Sequence, residues 1–312
     1  MGGSSVGIMV KTLLLVAVTT IAIAASACGS SNQASSDAFV DVVTTSNIAE
    51  DWVQRVGGTR VSVFSLVPTG ADPHAFQPGA RDVTRVADAD LIFSMGLGLE
   101  KGWLEDMLDT ASSDSSVLIA LGEVTDPITL GDQDDRVLDP HFWFDPLRVK
   151  LAIAEIALTL TALDPSGVQE YRDNTIVYLQ ELDDLHTWAQ EILATVPADR
   201  RVLVTSHDTL GYFADRYDYE VVGTLVPGVT TDGEPSARNL TDLVDVVTEL
   251  GVPAIFVENT TSDRLAKRIA EEADVDVVSN LFTGSLSADG DGGDTYIAMM
   301  RTNVTAIVEA LR

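Results

Sequence analysis

The feature that most constrains this fold is the stretch from Gly167 to Val196, about thirty residues with no proline and no glycine after the first. Read as one helix at about 1.5 Å per residue, it spans roughly 45 Å, enough to cross a whole domain. On its N-terminal side, residues 146–163 form a second helix that ends at Asp164-Pro165. Upstream of this helical region, β-branched runs at 39–46, 60–67, 90–96 and 115–122 alternate with apolar residues at three and four spacings in 47–58, 80–89 and 99–111. Downstream the alternation resumes, with strands at 201–206, 219–226, 254–260 and 275–280. Helices are expected there at 208–217, 238–250, 262–273 and the C-terminus. Strand–helix alternation of this kind predicts parallel sheets flanked by helices. The expected class is therefore α/β, with two lobes joined by one long bridging helix. The lobes should cover 38–147 and 199–312, with the helical region at 148–198. Such a helix resists bending far more than a Gly/Ser linker, which predicts limited lobe movement.

The N-terminus reads differently. Lys11 precedes the apolar run TLLLVAVTTIAIAA, and Ala25-Ser26-Ala27 leads to Cys28, the single cysteine. A basic start, a short apolar core and small residues mark a secretory signal, here 1–27. The run is short for a spanning helix, which needs about 20 residues. A lone cysteine cannot form an internal disulfide, and the stretch resembles a bacterial lipobox, which makes Cys28 a lipidated first residue. Ala25 stands where such boxes prefer Leu. The Ser-rich segment 28–37 is then a tether, and Met9 gives a more compact signal than Met1. With a net charge of −29, nucleic acid and anionic membrane surfaces would be repelled.

Of four histidines, three share a setting. His74 lies in GADPHAFQP after a strand, His141 in DPHFWFDP before a helix, and His207 in VTSHDTLGYF where a strand ends. Loops at the carboxyl ends of parallel strands are where ligands gather. Imidazole is the commonest metal ligand, and a neighbouring carboxylate fixes its tautomer. Asp72, Asp139, Asp145 and Asp208 are the candidates for that task. Singly, each histidine reads as a cap or core residue; jointly they read as a metal site. His186 sits mid-helix among Asp183, Asp184 and Gln190 and is expected to be a solvated surface residue.

Together GADPHAFQP, DPHFWFDP, TSHDTLGYFADRY, IFVENTTSDRLAKRIAEEA and GDTYIAMMRTN resemble the cluster A-I (cluster 9) substrate-binding lipoproteins of zinc and manganese ABC importers, over nearly all of the mature chain. The resemblance implies two α/β lobes joined by one long helix, with the metal in the cleft. It also implies His74, His141 and His207 as ligands, a membrane permease as partner and an extracytoplasmic, lipid-anchored monomer. Adhesion is attributed to some relatives, and this sequence neither supports nor excludes it. One departure stands out. Where the family commonly has the Asp of a "TDS" segment, LFTGSLS places Gly284. Water, Glu258, Asp289 or Asp291 could supply the fourth donor.

Three neutral imidazoles plus water suit zinc as the transported ligand, since manganese prefers more oxygen donors. Against this, the stretch 125–139, where zinc-type members often carry a His-rich loop, is acidic and reads as a solvated loop. Because histidine must be neutral to ligate, affinity should fall below about pH 6.5. Two other functions share part of this inventory. A zinc hydrolase or hydratase would use three histidines and an open water position, but no HExxH or acid–base partner at fixed spacing accompanies them. A siderophore- or corrinoid-binding importer component would share the long helix, but favours aromatic or Arg-lined clefts, and aromatics are 6% here. No catalytic residues and no catalytic cofactor are expected.

Overall fold

The computed structural model describes residues 40–111, 116–130, 136–260 and 262–312. The expected signal and tether, with Cys28 and the choice between Met1 and Met9, lie outside them. The first lobe runs β1 (Val40–Thr44), α1 (Asn47–Gly57), β2 (Val61–Ser65), α2 (Ala80–Asp88), β3 (Leu91–Ser94), α3 (Leu104–Ala111) and β4 (Val117–Ala120). A short antiparallel pair follows, β5 (Thr129–Leu130) with β6 (Val137–Leu138), then α4 (Pro146–Leu163) and α5 (Val168–Leu193). The second lobe comprises β7 (Val202–Thr205), α6 (Gly211–Tyr217), β8 (Glu220–Thr224), α7 (Ala237–Leu250), β9 (Ala254–Glu258), α8 (Arg264–Ala273), β10 (Asp276–Leu281) and α9 (Tyr296–Leu311). Each lobe holds a four-stranded parallel sheet, ordered β2-β1-β3-β4 and β10-β9-β7-β8.

Side chains of a strand alternate between its two faces, and the cores follow that alternation. Val40, Val42, Leu91 and Phe93 enter one large core, whereas Val43 and Ile92 pack with α2 and α3 on the other face. In the second sheet Leu203, Ala254 and Phe256 join the large core, while Val204, Ile255 and Val257 pack beneath α7 and α8. The large core is thus common to both lobes. α1, α4, α5 and α9 fill it, with Trp52, Tyr171, Tyr178 and Tyr296 fully buried.

The bridging helix forms as the sequence predicts, with two adjustments. It covers 26 residues, about 39 Å, and stops at Leu193 rather than Val196. Buried Tyr171, Tyr178, Leu182, Leu185, Ala189 and Leu193 recur at helical spacing along one face. Near its start, Glu170 accepts from the Thr59 amide at 3.1 Å and Asn174 donates to the Val56 carbonyl at 3.0 Å, both in the first lobe. Near its end, the Leu193 carbonyl accepts from Tyr219 at 3.1 Å, and the Arg301 guanidinium sits 4.6 Å over the Trp188 ring. One helix therefore touches both lobes.

Three expectations are corrected. His186 is not a solvated surface residue; it is half-buried and stacks on Tyr217 of α6, ring centroids 5.7 Å apart. The stretch 125–139 is not wholly a loop, since β5 and β6 pair within it. α3 starts at Leu104 rather than Leu99, because the residues before it run through successive turns, the Leu99 amide on the Gly96 carbonyl (3.1 Å), Lys101 on Gly98 (3.3 Å) and Trp103 on Glu100 (3.0 Å).

Because the core is shared, truncating it should affect both lobes together. Leu182→Ala should cost about 2–5 kcal/mol and leave one cooperative urea transition. Two separate transitions would contradict a common core.

Candidate metal centre

Each imidazole is delivered by a short rigid device. In the loop after β2, Asp72 accepts a hydrogen bond from the His74 amide at 2.9 Å, closing an Asx turn. Its other oxygen accepts from the Thr231 hydroxyl of the second lobe at 2.6 Å. Trp103 donates its ring N–H to the Pro73 carbonyl at 2.9 Å. Asp139 Oδ1 accepts from both the amide of His141 (2.9 Å) and its Nδ1 (2.8 Å), so one carboxylate oxygen fixes backbone and ring together. His207 follows β7; its Nδ1 lies 2.5 Å from Glu258 Oε1, at the end of the neighbouring strand β9. The other Glu258 oxygen accepts from Thr283 at 2.9 Å.

These contacts assign a proton to Nδ1 of His141 and of His207, which leaves each Nε2 with a free lone pair. The Nε2 atoms converge: His74 to His141 is 3.3 Å, and His207 to His141 is 3.2 Å. One nitrogen from each ring lies within 4.8 Å of the other two. A zinc tetrahedron with bonds of about 2.05 Å has an edge of about 3.3 Å. The rings are 8%, 1% and 3% exposed, deep enough that a charge there would be costly. The cavity they line, with Pro73, Trp143, Thr209, Thr260, Thr283 and Gly284, is about 10 Å³, small enough to confine a single ion with no more than a water beside it.

Burial sets the protonation states. Desolvation lowers the His74 pKa to about 3, helped by the neighbouring His141 and His207. Desolvation and His207 likewise hold His141 well below the usual imidazole value. Burial pushes the Asp139 carboxyl up to about 7, against the pull of the His141 amide. At Glu258 burial also pushes upward, but the hydrogen bonds from His207 and Thr283 outweigh it and leave the carboxyl lowered. The expected onset of proton competition near pH 6.5 is thus corrected for His74, whose ring stays neutral to far lower pH.

The predicted carboxylates divide. Only Asp139 holds an imidazole. Asp72 holds the His74 backbone, and Asp145 instead caps α4 through the Leu147 amide (2.9 Å) and pairs with Arg216 (2.6 Å) and Arg148 (3.3 Å). Asp208 makes no hydrogen bond to a ring among the described residues. Of the fourth-donor candidates, Glu258 has one oxygen on His207 and the other on the Thr283 hydroxyl, and Asp289 and Asp291 are exposed and away from the cavity. Gly284 does line it, as the resemblance implies. Sequence reasoning missed Thr283 and Thr231, hydroxyls that steady Glu258 and Asp72; no local pattern marks either one.

Residues 42–310 match the profile of a family described as zinc-uptake complex component A, periplasmic. The chain belongs to this family. Its members are components of metal-importing ABC transporters rather than enzymes. The manganese-binding lipoprotein MntA of Halalkalibacterium halodurans is 32% identical over 305 residues, 97% of this chain and 99% of that one. The manganese ABC transporter substrate-binding lipoprotein PsaA of Streptococcus anginosus is also 32% identical, covering 96% and 98%. Among solved structures, the periplasmic zinc-binding protein TroA from Treponema pallidum superposes with a TM-score of 0.80 at 31% identity, over 87% of this chain and 99% of TroA. The two-lobe architecture with its long helix is therefore the family's own.

Within this family member, folding keeps His74 neutral where the unfolded chain binds a proton. Stability should therefore be lost as pH falls from about 6.5 towards about 3. Metal-free His74→Gln lacks that penalty, so its melting temperature should rise relative to wild type across the window. Parallel curves would contradict a buried neutral ring.

Proposed function

We propose that this protein captures a divalent transition metal outside the cytoplasm through His74, His141 and His207 and delivers it to the permease of an ABC importer, with zinc favoured over manganese. The observation that carries this is the set of three buried Nε2 atoms separated by 3.2–3.3 Å along two edges. Neutral nitrogen donors at tetrahedral spacing suit zinc, whereas manganese calls for oxygen donors. The carboxylates that could supply oxygen are absent or occupied: position 284 is glycine, and Glu258 orients His207. The relatives MntA and PsaA are named for manganese and TroA for zinc, so the donor set of this chain, rather than its kinship, supports the preference.

The size of the cavity argues against the other readings. About 10 Å³ admits neither a siderophore nor a corrinoid, and leaves no space for an organic substrate beside the ion. In this reading residues 1–27 direct export, Cys28 carries the lipid anchor, and 28–37 tether a monomer to the membrane. Several relatives are named lipoproteins, in keeping with that placement. The lobes hold the ion between them, and docking on the permease shifts them to loosen it.

His141→Ala should lower zinc affinity by more than the roughly 10–100-fold that loss of an outer-shell partner costs. Glu258→Gln should fall within that range. Isothermal titration showing unchanged affinity in His141→Ala would overturn the site. Metal preference is tested by Gly284→Asp. A Cβ there meets Pro73 Cδ at 3.0 Å, so the proline must yield by a few tenths of an ångström. The added carboxylate should raise manganese affinity relative to zinc in direct competition, and an unchanged ratio would count against the donor-set argument.

A further inference from the structure

Three nitrogens leave a tetrahedral ion one donor short, and the wall of the cavity shows what could hold it. Buried polar atoms are nearly always hydrogen-bonded, so those left over need a reason. Around this site most are engaged. His141 Nδ1 is held by Asp139, His207 Nδ1 by Glu258, Glu258 Oε2 by Thr283, and the Trp143 ring N–H by the Thr283 carbonyl at 2.8 Å. Thr209 is not. It is 1% exposed, lines the cavity, and its hydroxyl has no hydrogen-bond partner among the described residues. Two other nearby atoms are orphaned as well, but neither serves. Asp139 Oδ2 lies toward Gly211, whose added Cβ would approach it to 2.8 Å, and Asp139 does not line the cavity. His74 Nδ1 is on the far side of its ring from the converging nitrogen. The Thr209 amide donates to the His207 carbonyl at 2.8 Å, which fixes the residue against a ligand-bearing segment.

Building on the three-imidazole reading, we propose that the Thr209 hydroxyl anchors a water molecule as the fourth donor to the captured zinc, in place of the carboxylate missing at Gly284. A hydroxyl can accept from such a water or donate to it, and the ion orders the water between the three rings and Thr209. Thr209 acts through that water and is a positioning residue. Without metal its hydroxyl costs stability, since a buried polar atom lacks its partner. The same atom strengthens binding once the ion is present.

That opposition gives the test. In Thr209→Val the side-chain shape is kept and the orphaned oxygen is removed. The metal-free variant should melt at a higher temperature than wild type, while its zinc affinity, measured against a competing chelator, falls roughly three- to tenfold. Thr209→Ser keeps the hydroxyl and should restore affinity. Zinc affinity of Thr209→Val equal to wild type overturns the proposal, as does a serine variant as weak as the valine one. A lower melting temperature accompanying the weaker binding would mark packing damage and overturns it too. His141→Ala, run alongside, separates the two levels of inference: if it keeps wild-type affinity, the three-imidazole site itself fails, whatever Thr209 does.

Discussion

The centre of this protein depends on keeping the His74 and His141 imidazoles neutral in a place from which water is largely excluded. A buried charge without a partner is expensive, and three adjacent imidazolium rings would repel one another as well. The fold resolves this by burying His74 and His141 as bases. Carboxylates on the far nitrogens of His141 and His207 turn both lone pairs inward. The result is a pocket of electron-pair donors with no counter-cation of its own, a poor arrangement for stability and a good one for receiving a divalent ion.

Holding that arrangement is the work of the wider architecture. His74 belongs to the first lobe, His207 and Glu258 to the second, and His141 to the segment leading into the helical region. Two of the three edges between the ring nitrogens, 3.2 and 3.3 Å, match tetrahedral spacing, in lobes that share one core and one long helix. Contacts beside the site tie the lobes further. Asn47 of α1 donates to Ser285 at 3.0 Å and accepts from the Leu286 amide at 2.9 Å, while Asp51 accepts from the Tyr296 amide at 3.2 Å. Asp72 is the most economical of these ties, since a single carboxylate joins the His74 backbone to Thr231 across the cleft. Under the proposed function, movement that frees the ion must disturb several such bonds at once.

The preference for zinc proposed above rests on what this chain does with its carboxylates. Glu258 lies beside the site, yet its two oxygens are committed to His207 and Thr283. At position 284, where the resemblance implies Asp, there is no side chain at all. The donor set therefore stays nitrogen-rich despite an acidic chain carrying 48 Asp and Glu residues. Bulk charge and site chemistry are independent here, because solvated surface carboxylates are screened from a buried centre.

Much was legible before any fold was seen. Strand and helix order, the proline stop after α4, the uninterrupted run of α5 and the three histidines at element ends all follow from local rules of periodicity, capping and breaking. The missing carboxylate at Gly284 was legible too. What the sequence could not assign was the partner of each ring. Four aspartates stood near the histidines in sequence, and only Asp139 reaches a ring. Glu258 is 51 residues from His207 and meets it because β7 and β9 are neighbours, with Thr205 in register with Phe256. The misreading of His186 has the same origin, since its neighbour Tyr217 lies on a different helix. Local spacing fixes which residues share an element or a turn. Which side chains meet across elements depends on sheet order and lobe packing, and those are settled only when the whole chain buries its core.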